Sequence, residues 1–133
     1  MSTFHFELVA PERILYSGEV ESVGLPAAEG DMTVLAGHAP VMATLKTGFL
    51  VIAEPGSADK RVLVQGGFAD IGPKGATVLA ERALFSEELT VDELDREIAR
   101  ARSVADAMED GAEKEDALAA IVRLEDAKAT LRA

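Results

Sequence analysis

Leu84-Phe85-Ser86-Glu87-Glu88-Leu89-Thr90-Val91-Asp92-Glu93-Leu94 is the stretch on which the fold turns. Thr90 suits a helix N-cap, and Glu93 three positions on completes a capping box, which satisfies two amides the first turn leaves orphaned. Leu89 before the cap and Leu94 four after it match a hydrophobic staple. A helix starts here, and whatever precedes it ends here. Apolar residues then recur at Val91, Leu94, Ile98, Ala101, Ala105 and Met108, spaced alternately by three and four as one stripe of a helix. Gly111 is a natural stop, because glycine takes the left-handed conformation without a Cβ clash. A second helix is expected from about Ala112 to Leu131, with Ala117, Leu118, Ile121, Leu124 and Leu131 inward. Glu113, Glu115 and Asp116 suit its positive N-terminal end. A connection this short makes the pair antiparallel. The shared seam is rich in alanine, so the hairpin is marginal alone.

Upstream the composition changes. Every Pro and ten of the eleven Gly lie before residue 76, and these residues punctuate short strands while long helices exclude them. Residues 1–84 carry six basic and ten acidic side chains; residues 85–133 carry seven and fourteen. In Thr3–Val9, Phe4, Phe6 and Leu8 alternate with His5 and Glu7, the period of a half-buried strand. Further β-rich runs are Val20–Leu25, Met32–Leu35, Phe49–Ala53, Val62–Val64, Phe68–Ile71 and Thr77–Ala80. Turn chemistry at Ser17-Gly18, Glu29-Gly30, Pro55-Gly56 and Gly72-Pro73-Lys74-Gly75 separates them. Many short strands at this spacing predict a sandwich or barrel. The expected organisation is a β-sandwich domain over residues 1–85 and an antiparallel helical hairpin over 86–133.

Composition narrows the function. A chain of 133 residues, 48% hydrophobic and 28% charged, has apolar material for one core. Its net charge of −11 argues against nucleic acid, which needs clustered Lys and Arg, and against docking on anionic lipid. No cysteine is present, which removes disulfides, thiolate metal sites and Cys nucleophiles. The N-terminus shows no signal peptide and no window is apolar enough to span a bilayer, so a soluble, cytoplasmic protein without membrane insertion is expected.

Catalytic signatures are absent too. His5 and His38 are the two histidines, and no HxxxH or HxH pattern offers a metal site. Neither a GxSxG elbow nor a GxxxxGK[ST] phosphate loop occurs. Gly66-Gly67 reads as a bulge or a tight strand join. Glu29 and Asp31, flanking Gly30, and Asp70 near a strand end are the carboxylates that could divide acid and base roles; the plainer reading is solvated turn acids. His38 lies in Gly37-His38-Ala39-Pro40, where Gly37 permits a reversal and Pro40 drives Ala39 toward an extended shape. The ring is thus offered on a stiff turn, to a partner or to local backbone. Neither a metal nor a cofactor is expected.

The neighbours of that histidine carry a resemblance. Glu29-Gly30-Asp31-Met32-Thr33-Val34-Leu35-Ala36-Gly37-His38-Ala39-Pro40, followed by Leu45-Lys46-Thr47-Gly48, resembles the signature of the ε subunit of F-type ATP synthases. Val64-Gln65-Gly66-Gly67-Phe68 is similar to that family's strand–Gly-Gly–strand join, and Val78-Leu79-Ala80-Glu81 to the last strand of its β domain. Order and spacing agree along essentially the whole chain. The resemblance implies a ten-stranded β-sandwich with a helical hairpin, in a non-catalytic subunit of the central rotor stalk. Its implied partners are the γ subunit and the ring of c subunits, with the hairpin folded down or reaching along γ toward the α/β subunits, where in some members it inhibits ATP hydrolysis. It implies a peripheral place on the cytoplasmic side of the bacterial inner membrane. The partner-binding residues it implies are Glu29, Gly30, Asp31 and Met32 toward the c-ring, and Gly37, His38 and Pro40 near the γ and c contact.

One departure stands out. The Ile/Leu-Asp-x-x-Arg-Ala motif, through which some members bind ATP, is unmatched: Thr90 replaces the Asp and Glu93 the Arg. Starting instead at Leu94-Asp95 puts Ile98 where the Arg belongs. No nucleotide-binding residue is assigned, although Arg100, Arg102 and Arg123 keep the alternative open. Beside the rotor reading stand a free ligand sensor with a switchable hairpin and a carboxylate enzyme using Glu29, Asp31 or Asp70.

Overall fold

A computed structural model describes residues 2–86 and 89–132, with side chains described through residue 129. The chain divides into two compact units, Met1–Glu87 and Glu88–Ala133.

The first unit holds eight strands: β1 (Phe4–Ala10), β2 (Arg13–Val20), β3 (Ser22–Leu25), β4 (Met32–Leu35), β5 (Val41–Leu45), β6 (Gly48–Ala53), β7 (Lys60–Gly72) and β8 (Gly75–Phe85). They pair in the order β2-β1-β8-β7-β6-β3-β4, with β5 on β7. β7 and β8 form one long hairpin closed by Pro73-Lys74, in register from Gly72↔Gly75 to Val62↔Phe85. One half of β7 pairs with β5 through residues 67–71, the other with β6 through residues 60–64. β1 likewise meets only residues 75–79 of β8. Two sheets therefore share the hairpin, β2-β1-β8-β7-β5 and β8-β7-β6-β3-β4. Cutting each long strand at its bend turns the eight strands into ten segments, the number the family resemblance implies.

The bend lies at Gly66 and Gly67, with φ of +75° and +123°. A Cβ on Gly67 would sit 2.1 Å from the Leu79 carbonyl oxygen, so only glycine lets the strands approach there. Val62–Val64 and Phe68–Ile71 are thus one strand through a glycine corner. Phe4, Phe6, Leu8 and Val20 from one sheet and Val23, Val34, Leu50, Ile52 and Val62 from the other join a single buried core. That is a sandwich.

Two strands escaped the sequence reading. Ser17-Gly18, expected as a turn, lies inside β2, where Ser17 pairs with Glu7 and Gly18 with Phe6. The β1 ladder supplies hydrogen bonds that local turn chemistry only offers to replace. β5 also went unread, and Val20–Leu25 is divided between β2 and β3.

In the second unit α1 runs Val91–Asp106 and α2 Ala112–Arg132. Thr90 is the N-cap, its hydroxyl accepting the Glu93 N–H at 3.1 Å. The stripe from Val91 to Met108 is buried or half-buried throughout. α1 ends sooner than Gly111, at a right-handed Ala107 cap. Gly111 instead opens α2, its carbonyl accepting the Glu115 N–H at 3.0 Å. On α2, Ile121, Leu124 and Ala127 are buried and Ala117 half-buried, but Leu118 is 43% exposed. It stands about 100° around the helix from Ala117 and misses the seam; the Leu131 side chain lies outside the described residues. Arg102–Glu125 at 3.5 Å and Lys128–Asp95 tie the helices side by side and antiparallel.

Candidate functional site

The residues singled out from sequence occupy both ends of β4, the last strand of its sheet. At one end Gly30, with φ +136°, turns the chain, and its N–H reaches the Ala27 carbonyl at 3.0 Å. This loop is pinned to the end of β5: Ala27 bridges Leu45, Ala28 N–H donates to Thr44 O at 2.8 Å, and Lys46 N–H donates to Pro26 O at 2.9 Å. Glu29, Gly30 and Asp31 are exposed, while Met32 packs half-buried against the core. At the other end Gly37 has φ +79°, and His38 N–H donates to Leu35 O at 3.2 Å. The His38 ring turns onto its own backbone, with Nδ1 2.7 Å from Ala39 O. Gly37, Ala39 and Pro40 are exposed and His38 is half-buried. Four strand residues span roughly 13 Å, so the two turns form opposite corners of one rim rather than a single cluster.

The acids considered for catalysis are dispersed. Asp70 sits exposed between Met42 and Thr77 on the sheet that holds β5, whereas Glu29 and Asp31 lie in the β3–β4 loop of the other. His5 faces Glu7 at 3.6 Å and Glu19 at 3.5 Å, with His5 and Glu19 exposed and Glu7 half-buried. Among the described residues no group of His, Asp and Glu could hold a metal ion. On the hairpin, Arg100 engages Glu97 and Arg102 engages Glu125. A cleft of about 340 Å³ opens where β1 leaves β8, lined by Glu12, Arg13, Glu81 and Arg82 with both signs of charge.

A partly buried polar contact links the two sheets. The Tyr16 hydroxyl on β2 donates to Glu54 at 2.6 Å, beyond the end of β6, and Lys60 at the start of β7 approaches Glu54 at 3.1 Å. Burial first, and then the bond to Glu54, push the Tyr16 phenol well above its usual range. The bond from Tyr16, followed by that from Lys60, holds the Glu54 carboxyl below the usual carboxylate range.

The surface that sequence reading missed lies on the outer side of β2-β1-β8-β7-β5. Residues in register across those strands are Ile14, Val9, Leu79, Phe68 and Thr44. All point away from the core, and Ile14 is 62%, Leu79 41% and Phe68 40% exposed. From Ile14 to Phe68 the apolar residues cross three interstrand gaps, a row roughly 14 Å wide, with Thr44 beyond it. The next row out holds Ser17, Glu7, Thr77, Asp70 and Met42. Contiguous apolar area on an exposed sheet face is the feature that marks protein-docking surfaces in general. Its signal was present in Val78-Leu79-Ala80, unbroken where a half-exposed strand should alternate.

A family model for the beta-sandwich domain of the ATP synthase Delta/Epsilon chain matches residues 3–86. The chain belongs to the ATP synthase epsilon-chain family. The epsilon chain of Parvibaculum lavamentivorans is 50% identical over 107 residues, 80% of this chain and 81% of that one. That of Mesorhizobium japonicum is 49% identical over 82% of each. Among solved structures, a chain of the Euglena gracilis mitochondrial ATP synthase, in an OSCP/F1/c-ring assembly, matches with a TM-score of 0.73 at 23% identity, covering 94% of this chain and 81% of that one. That likeness is one of fold. Membership makes the chain a non-catalytic epsilon subunit of an F-type ATP synthase.

Proposed function

We propose that this epsilon chain works in the central stalk, gripping the γ subunit with the outer face of β2-β1-β8-β7-β5 and meeting the c-ring with the rim on β4. The observation that carries it is the row in which Ile14, Leu79 and Phe68 are exposed around a half-buried Val9, which a lone domain has no reason to keep apolar. The rim, with Glu29, Gly30, Asp31 and Met32 at one corner and Gly37, His38 and Pro40 at the other, suits a torque-bearing contact. The loop that carries the first corner is pinned to the end of β5 and cannot yield like a free loop. No described helix is long and apolar enough to cross a membrane, and the chain sits peripherally on the cytoplasmic side of the bacterial inner membrane through these partners. The hairpin, with its small-residue seam and surface ion pairs, is the element that moves and restrains ATP hydrolysis at the α/β subunits.

Two measurements test this. Phe68→Glu and Leu79→Lys, both outward-facing, are expected to leave the fold intact and weaken rebinding to epsilon-depleted ATP synthase by at least about tenfold. Wild-type rebinding by both variants removes this face from the interface. Deleting residues 86–133 is expected to raise ATP hydrolysis by the purified complex, and an unchanged rate removes the regulatory role.

A further inference from the structure

The Nδ1 of His38 lies 2.7 Å from Ala39 O, and a carbonyl oxygen can only accept, so Nδ1 must carry the proton. In the neutral ring Nε2 is then the bare nitrogen. Among the described residues Nε2 has no partner. The ring stands on a turn set by Gly37, with φ +79°, and by the His38 N–H to Leu35 O bond at 3.2 Å. Backbone and ring are therefore both held, and one acceptor atom is left over.

We propose that His38 takes part in the rotor contact as a hydrogen-bond acceptor through Nε2, and that the facing subunit supplies an N–H or O–H donor. This rests on the rim being a contact, as argued above, and specifies its chemistry. The bond to Ala39 then acts within the chain, fixing the tautomer and aiming the ring so that binding costs little further ordering. A carboxylate or a carbonyl opposite the neutral ring would be excluded, since neither donates.

The tautomer is tested on the isolated full-length chain by ¹⁵N-edited NMR of the neutral His38 ring. A proton on Nδ1 is expected; one on Nε2 overturns the inference and leaves the rim reading untouched. The acceptor role is tested by rebinding to epsilon-depleted ATP synthase. Glutamine can place an oxygen where Nε2 stands, whereas asparagine reaches only the Nδ1 position. His38→Gln should bind within about twofold of wild type, while His38→Asn and His38→Ala should lose about two- to tenfold, the worth of one neutral hydrogen bond. Equal loss in all three overturns the acceptor assignment. Wild-type binding by all three overturns it together with the placing of His38 in the contact.

Discussion

A Cβ on Gly67 would stand 2.1 Å from the Leu79 carbonyl oxygen, at a φ of +123°, so no side chain fits without parting β7 from β8. Gly67→Ala is expected to cost about 3 kcal/mol or more. Gly56→Ala, in the open turn at φ +71° with nothing within 4 Å, should cost about 1–2 kcal/mol. Urea unfolding of the two variants distinguishes a corner that depends on close approach from one that needs only conformational freedom. Tyr16 and Glu54 give a second test at this scale. The phenol is raised in the folded state, so its contribution is complete below about pH 10 and drains away as pH climbs beyond it, when the unfolded chain ionises first. The Glu54 carboxyl is depressed, so its contribution is present above the ordinary carboxylate range and drains as pH falls through the folded value. The stability advantage of wild type over Tyr16→Phe should therefore peak between these limits and narrow at both ends. Parallel curves across that range would show that the contact contributes packing alone.

At the scale of the element, the hairpin depends on few residues. Leu124 is fully buried and Leu118 is 43% exposed, though both were assigned inward from sequence. Leu124→Ala should destabilise the hairpin by about 2–5 kcal/mol, against less than about 1 for Leu118→Ala. Thr90→Ala removes the hydroxyl that accepts the Glu93 N–H and should cost about 1 kcal/mol, concentrated in the first turn of α1. Amide exchange in the full chain reads all three. Similar protection in the two leucine variants would put the seam elsewhere on α2. The helix start was legible because a cap is a local pattern of side chains and amides. The end of α1 was not, since Gly111 serves equally well to stop one helix or open the next, and the chain chose the second.

At the scale of the whole molecule, residues 1–85 are expected to fold alone, for their core is closed by residues of both sheets. The hairpin alone should be only partly helical, because helices of this length depend on packing more than on propensity. Circular dichroism with urea on the fragment tests this, and absence of a cooperative β-type transition in 1–85 would refute it. The net charge of −11 belongs to this scale too: it disfavours nucleic acid and favours partners with basic groups beside the acid-edged row of Glu7 and Asp70.

The amino-acid sequence by itself determined the two-part architecture, the capped start of α1, the stripe from Val91 to Met108, the turns at Glu29-Gly30 and Gly37–Pro40, and, through the motif around His38, the family. These are signals carried by residues within a few positions of one another. The tertiary structure alone decided that Ser17-Gly18 continues a strand and that Gly66-Gly67 bends one strand between two sheets. It also decided that Ile14 and Val9 from one hairpin and Leu79 and Phe68 from another, far along the chain, form one outward row. Register sets those facts. The two hairpins meet through Val9↔Leu79, 70 positions apart (79 − 9), and no short window of sequence contains both partners of that pairing.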